Sequence, residues 1–172
     1  MNFSMDVQKK NISNGMTVVA IPSHQAPVVT LQGWIRFGSA DATEDIAGLA
    51  HLFEHLLFKG TQKRPVGQIA REVEGMGGDL NAYTTYDYTV MHMTLGSDCL
   101  EKGLDVLSDA LLNSVVDEGE LQREKVVILE EIKRYHDGPS NMASELFRKK
   151  LFQGHAYARP IIGYASVVEA MP

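Results

Sequence analysis

Residues 46–60 read Ile-Ala-Gly-Leu-Ala-His-Leu-Phe-Glu-His-Leu-Leu-Phe-Lys-Gly, and this stretch decides how the rest of the chain is read. Its apolar residues Ile46, Leu49, Leu52, Phe53, Leu56 and Leu57 recur at helical spacing. Thr43 or Asp45 stands where a cap is needed, and Gly60 closes the run. On such a helix His51 and His55 fall one turn apart on one face, with Glu54 one turn from His51 and beside His55. Two imidazoles at this spacing can hold one metal ion through ring nitrogens while the carboxylate reaches a water beside it, the pattern of a hydrolytic zinc site. Catalytic zinc generally takes three protein ligands, so one more must come from elsewhere in the chain.

Residues 122–132 offer the candidates: Gln-Arg-Glu-Lys-Val-Val-Ile-Leu-Glu-Glu-Ile. Glu124 and Glu131 are about two helical turns apart and share a face, with Val127 and Ile128 between them. Carboxylates in an apolar stripe are costly unless paired or bound to metal, which suits one as a ligand and the other as the group that orients a ligand. Glu131 is favoured as the ligand. Glu130 competes, but Lys133 and Arg134 follow it at the spacing of a solvated helix face. The bland alternatives are surface or satisfied core histidines for His51 and His55, and an exposed charged face for Glu124 and Glu131. His24, His92, His136 and His155 show no partner spacing, and Met76, Met91 and Met93 read as core filler.

The wider composition supports an ordinary folded chain: 172 residues, 44% hydrophobic, 22% charged, net charge -6. A domain of this size buries roughly 70% of the surface its unfolded chain exposes, so no staple is needed. Cys99 is the one cysteine, which excludes an intramolecular disulfide. No apolar run approaches the ~18 residues of a membrane span, residues 1–10 show no signal-peptide core, and a soluble protein without membrane contact is expected. No basic stripe is present, so nucleic acid is not an expected partner. A hairpin is expected over 8–21 around Asn14-Gly15, then a core strand over 28–37. After the histidine helix come a short helix over 66–76 ended by Gly77-Gly78, and paired strands over 80–84 and 88–95. Helices follow over 99–115, from Asp117 or Glu118 to 136, and over 141–152, with a break at Asp137-Gly138-Pro139-Ser140. Strands first and helices after predict an α+β domain with helices packed on one face of a mostly antiparallel sheet.

The order of the histidine pair is reversed relative to His-Glu-x-x-His metalloproteases, the inverzincin arrangement. Around it, residues 13–19, 48–61, 77–84, 87–89, 124–132 and 155–163 make the chain resemble the pitrilysin/insulinase family of zinc peptidases, peptidase family M16. That resemblance implies the metallohydrolase fold of the mitochondrial processing peptidase type. It implies Zn2+ held by His51, His55 and Glu131, Glu54 as general base, and Glu124 as the acid behind a ligand. It also places Asn81, Ala82 and Tyr83 on an edge strand that takes substrate backbone by β-augmentation. From the residues alone, Asn81 could equally be a turn residue.

The implied activity is that of a zinc-dependent metalloendopeptidase acting on peptides or small proteins. Family members pair two related domains or subunits, as homo- or hetero-oligomers, and an Arg-Tyr pair from the second half completes the site. Residues 1–172 are therefore expected to be the N-terminal part of the zinc-binding domain, with the C-terminal half absent. Such a piece should bind metal yet show little activity alone, because stabilising the oxyanion is often the largest catalytic effect. Two other readings compete: a non-catalytic interaction or assembly module of the same fold, and a hydrolase for small molecules. The intact His and Glu set argues against the first, and the glycine-rich lead into Asn81 favours an extended peptide over the second. Relatives occur in bacterial cytoplasm and periplasm and in organelles; with no targeting segment, the cytoplasm is favoured over the periplasm.

Overall fold

A computed structural model describes residues 6–171; residue 172 and residues 1–5, the first half of the stretch expected to have no signal-peptide core, lie outside it. The strands are β1 (Gln8–Asn11), β2 (Thr17–Ala20), β3 (Val28–Ile35), β4 (Asp79–Thr84) and β5 (Thr89–Gly96). The helices are α1 (Leu49–Leu56), α2 (Gln68–Gly75), α3 (Leu100–Asn113), α4 (Glu118–His136), α5 (Pro139–Leu151) and α6 (Ala165–Ala170). An antiparallel sheet has the order β3-β5-β4, and β1 and β2 form a separate hairpin. The α+β architecture expected from the element order is thus the one observed.

Alternation along β5 sends Met91, Met93 and Leu95 to one face of the sheet, where they are buried with Leu31, Ile69, Val73, Val106 and Leu107. Each such side chain contributes roughly 1.5–3 kcal/mol on full burial. Met91 and Met93 are therefore core residues, as expected of methionines that read as filler rather than ligands. The hairpin turns through Ser13-Asn14-Gly15, with Gly15 at φ 88, so Asn-Gly ends a three-residue loop rather than forming a two-residue turn. Both of its strands are exposed along their length.

Helix α1 sorts its side chains into three sectors, because successive residues turn by about 100°. Leu52 and Leu56 pack with Ile128 and Ile132 of α4 and Val168 of α6. Phe53 and the following Leu57 face the sheet-side core. The remaining sector carries His51, Glu54 and His55. A buried ion-pair network fixes the segment after α1: Arg64, 3% exposed, meets Asp109 at 2.7 Å, Glu72 at 3.1 Å and Asp105 at 2.5 Å.

Several boundaries differ from expectation. The histidine helix starts at Leu49, not after Thr43 or Asp45; residues Glu44–Ile46 form a separate 3-10 turn, and Thr43 makes no capping bond. The break comes from Gly48, at φ 102, which packs backbone to backbone on Gly163, at φ 85. A Cβ on Gly163 would lie 2.4 Å from the Ala47 carbonyl oxygen, so only glycine permits this approach. Helix α5 begins at Pro139, whose missing N–H costs nothing in a first turn, so the break is shorter than expected. Asp117 does cap α4, its side chain accepting from the Glu120 N–H. Val127, expected on the buried face of α4, is 42% exposed, while Ile128 is fully buried. Helix α6 was not foreseen: it is short and has no side-chain cap to announce it. No helix of the described residues is long and apolar enough to cross a membrane.

Candidate metal centre

Helix α4 turns Glu124, Ile128 and Glu131 toward α1, and the burial of Ile128 against Leu52 and Leu56 sets where the two carboxylates stand. His51 Nε2 lies 3.9 Å and His55 Nε2 3.7 Å from Glu131 Oε2. One donor atom from each of the three residues falls within 4.8 Å of the others. Ligands about 2.0–2.2 Å from a tetrahedral zinc stand roughly 3.4 Å apart, so the two His–Glu131 separations are within about half an ångström of what one ion needs, and the two imidazoles need only swing together by a side-chain adjustment of about 1 Å. Two imidazoles and a carboxylate are donors that suit zinc. His51, His55 and Glu131 could thus hold it.

The neighbours prepare these donors. His55 Nδ1 lies 2.9 Å from Glu124 Oε2, and Lys59 Nζ lies 2.7 Å from Glu124 Oε1. Burial alone would raise the Glu124 carboxyl, but hydrogen bonds from Lys59 and His55 outweigh it and hold it below the usual range. An ionised carboxylate only accepts, so His55 carries its hydrogen on Nδ1 and leaves the Nε2 lone pair toward Glu131. Burial, helped by the nearby His55, pushes the His51 imidazole down to about 4, so it is neutral at pH 7. Its Nδ1 is buried without a hydrogen-bond partner, and packing alone orients the ring.

Glu54 accepts a hydrogen bond from Thr84 Oγ1 at 2.5 Å. Burial lifts its carboxyl above the usual range, opposed by the Thr84 bond. Among the described residues neither Glu54 nor Glu131 pairs with a lysine or arginine. This leaves uncompensated negative charge at a half-buried point, which favours a divalent cation. Glu130, the competing acid, pairs with Lys133 on the solvent side of α4.

Asn81, Ala82 and Tyr83 lie on β4, an edge of the described sheet. The Thr85 N–H bonds the Tyr88 carbonyl, and alternation from that pair sends the backbone groups of Tyr83 and Asn81 to β5. Those of Leu80, Ala82 and Thr84 face the open edge. Ala82 therefore offers main chain there, whereas Asn81 and Tyr83 offer side chains. The Asn81 Oδ1 already accepts from the Ala82 N–H at 2.8 Å. Sequence reading passed over Lys59 and Thr84. Lys59 was within reach, one helical turn past His55; Thr84 needed the strand parity that aims it at α1.

The insulinase family model (peptidase family M16) matches residues 17–164, and the chain belongs to that family. It is similar to the uncharacterized zinc protease YmxG of Bacillus subtilis, 34% identical over 157 residues, 91% of this chain and 38% of that protein. A protease from Helicobacter pylori shares the fold with a TM-score of 0.94 at 25% identity, over 98% of this chain and 41% of that one. The first half of the periplasmic protease PqqL from Escherichia coli gives a TM-score of 0.87 at 28% identity, over 96% of this chain and 37% of that one. The chain thus spans little more than a third of the length of the curated relatives it matches.

Proposed function

We propose that this chain carries the metal-binding part of a zinc-dependent metalloendopeptidase site, with His51, His55 and Glu131 as ligands and Glu54 as general base. The observation that carries the reading is the convergence of three donor atoms within 4.8 Å, with an unpaired carboxylate on the same helix face. Relatives named zinc proteases support it. Zinc bound there would polarise the scissile carbonyl and acidify a water.

Glu54 accepts the proton of the attacking water as its oxygen bonds to the carbonyl carbon, then passes that proton to the amine as the C–N bond breaks. Its raised pKa makes it a stronger base than an exposed glutamate. Glu124 holds His55 in the tautomer a ligand needs. The peptide backbone pairs with the open edge of β4 at Ala82, displacing the Asn81 side chain, which then bonds the peptide. A second domain or subunit of the same family supplies the groups that stabilise the oxyanion.

Glu54→Gln tests this directly. The variant should keep its zinc, measured by metal analysis, and lose hydrolysis by about 10²–10⁴-fold. Undiminished hydrolysis would remove Glu54 from the mechanism. A zinc-free protein that takes up none would favour a non-catalytic assembly module.

A further inference from the structure

The cavity that contains His51 and Glu54 has a volume of about 370 Å³, at the small end of the roughly 300–1,000 Å³ of ligand pockets. It has room for a side chain and its backbone rather than a folded segment. Pro160, Ile161 and Ile162 give it an apolar wall, and Tyr86 adds a ring. Arg148 of α5 brings a guanidinium to the same cavity, donating from Nη2 to the Tyr135 hydroxyl at 3.0 Å.

Arg148 is half-buried, and among the described residues it forms no ion pair. Glu145, one turn earlier on α5, approaches His136 Nε2 at 3.7 Å instead. Arg64 shows how this fold satisfies a buried arginine: three carboxylates surround it. Arg148 has a single neutral phenol, which leaves most of its five N–H donors for something else.

We infer that Arg148 reads the substrate, binding a carboxylate of the peptide in this cavity beside the scissile bond. The inference rests on the peptidase reading above. A guanidinium matches a carboxylate in a planar, two-point fork, and Tyr135 already holds that fork from one side. The apolar wall lowers the local dielectric on one side and strengthens the pair. An acidic side chain near the scissile bond and the C-terminal carboxylate of a short peptide present the same chemistry.

The test uses the whole zinc-loaded protein carrying Glu54→Gln, so that peptide is not consumed. Fluorescence anisotropy compares a matched set of labelled peptides: Glu or Gln beside the scissile bond, each with a free or an amidated C-terminus. Binding should be about tenfold tighter with the carboxylate that Arg148 reads, and the Glu/Gln and free/amidated comparisons show which source it is. Arg148→Gln should bring that ratio to about one and leave affinity for the fully neutral peptide unchanged; Arg148→Lys should keep part of the ratio. Equal affinity for the whole set in the protein with Arg148 intact overturns the inference without any variant at this position. A preference for the carboxylate-bearing peptide that survives undiminished in Arg148→Gln overturns it as well. Hydrolysis that persists in Glu54→Gln, or failure of every peptide to bind, instead overturns the peptidase reading and this inference with it.

Discussion

Lys59 Nζ sits 2.7 Å from one oxygen of Glu124 while the other oxygen of that carboxylate takes the Nδ1 hydrogen of His55 at 2.9 Å. The lysine neutralises a carboxylate that is only 6% exposed, and the carboxylate in turn fixes the imidazole. Removing the cation would leave Glu124 buried and poorly compensated, or protonated and able to offer His55 the wrong partner. Lys59→Met is therefore expected to weaken zinc binding about tenfold and Glu124→Gln by about 10–100-fold, read by competition with a chelator. Lys59→Arg should recover much of the loss. Unchanged affinity in Lys59→Met would show that His55 needs no such support.

The Thr84 hydroxyl lowers a carboxyl that burial raises. A general base works only when ionised, so activity falls as pH drops through the pKa of Glu54. Since that value lies above the ordinary glutamate range, the acid limb of kcat/KM should do so too. Thr84→Val removes the opposing hydrogen bond and should move that limb to still higher pH. A limb that stays in place would detach it from Glu54.

Asp109 sits at the centre of the Arg64 network, accepting from Thr61, Arg64 and Asn113. Burial would raise its carboxyl, yet these bonds win and hold it at about 2, against 3.8 ordinarily. A depressed folded value means that the stabilisation is complete above the unfolded pKa and disappears as pH falls from about 4 to about 2. Asp109→Asn should lower stability by about 2–3 kcal/mol at neutral pH and flatten the pH dependence in that window. Urea midpoints for both proteins across pH 2–7 would check it.

Gly163→Ala places a methyl group on the Ala47 carbonyl at a φ that disfavours any side chain. A loss of about 1–3 kcal/mol is expected, with faster proteolysis at residues 155–163 as the loop lifts. A melting temperature equal to that of the parent would mean that the loop adjusts freely.

The parts legible in the sequence are those governed by one local period. His51, Glu54 and His55 follow from a single helical turn, and Glu124 with Glu131 from two. The β4–β5 pairing follows from two β-rich runs flanking a short polar turn. The rest depends on partners far along the chain. Nothing in residues 43–48 shows that Gly48 must break the helix, because the reason is Gly163. Residues 155–163 carry part of the family resemblance, yet the part of Pro160, Ile161 and Ile162 as a cavity wall appears only once they fold beside His51 and Glu54. Val127 was misplaced because Val127 and Ile128 are equally apolar, and only the crossing of α1 and α4 decides which is covered.

The contact between Gly48 and Gly163 also orders events during synthesis. The last candidate ligand, Glu131, leaves the ribosome about thirty residues before Gly163, a delay of a few seconds at about 5–20 residues per second. In that interval the donors from α1 and α4 can meet while the side later walled by Pro160 to Ile162 is still open. Metal would then reach the donors of a growing chain from a side that Pro160 to Ile162 wall in the finished fold.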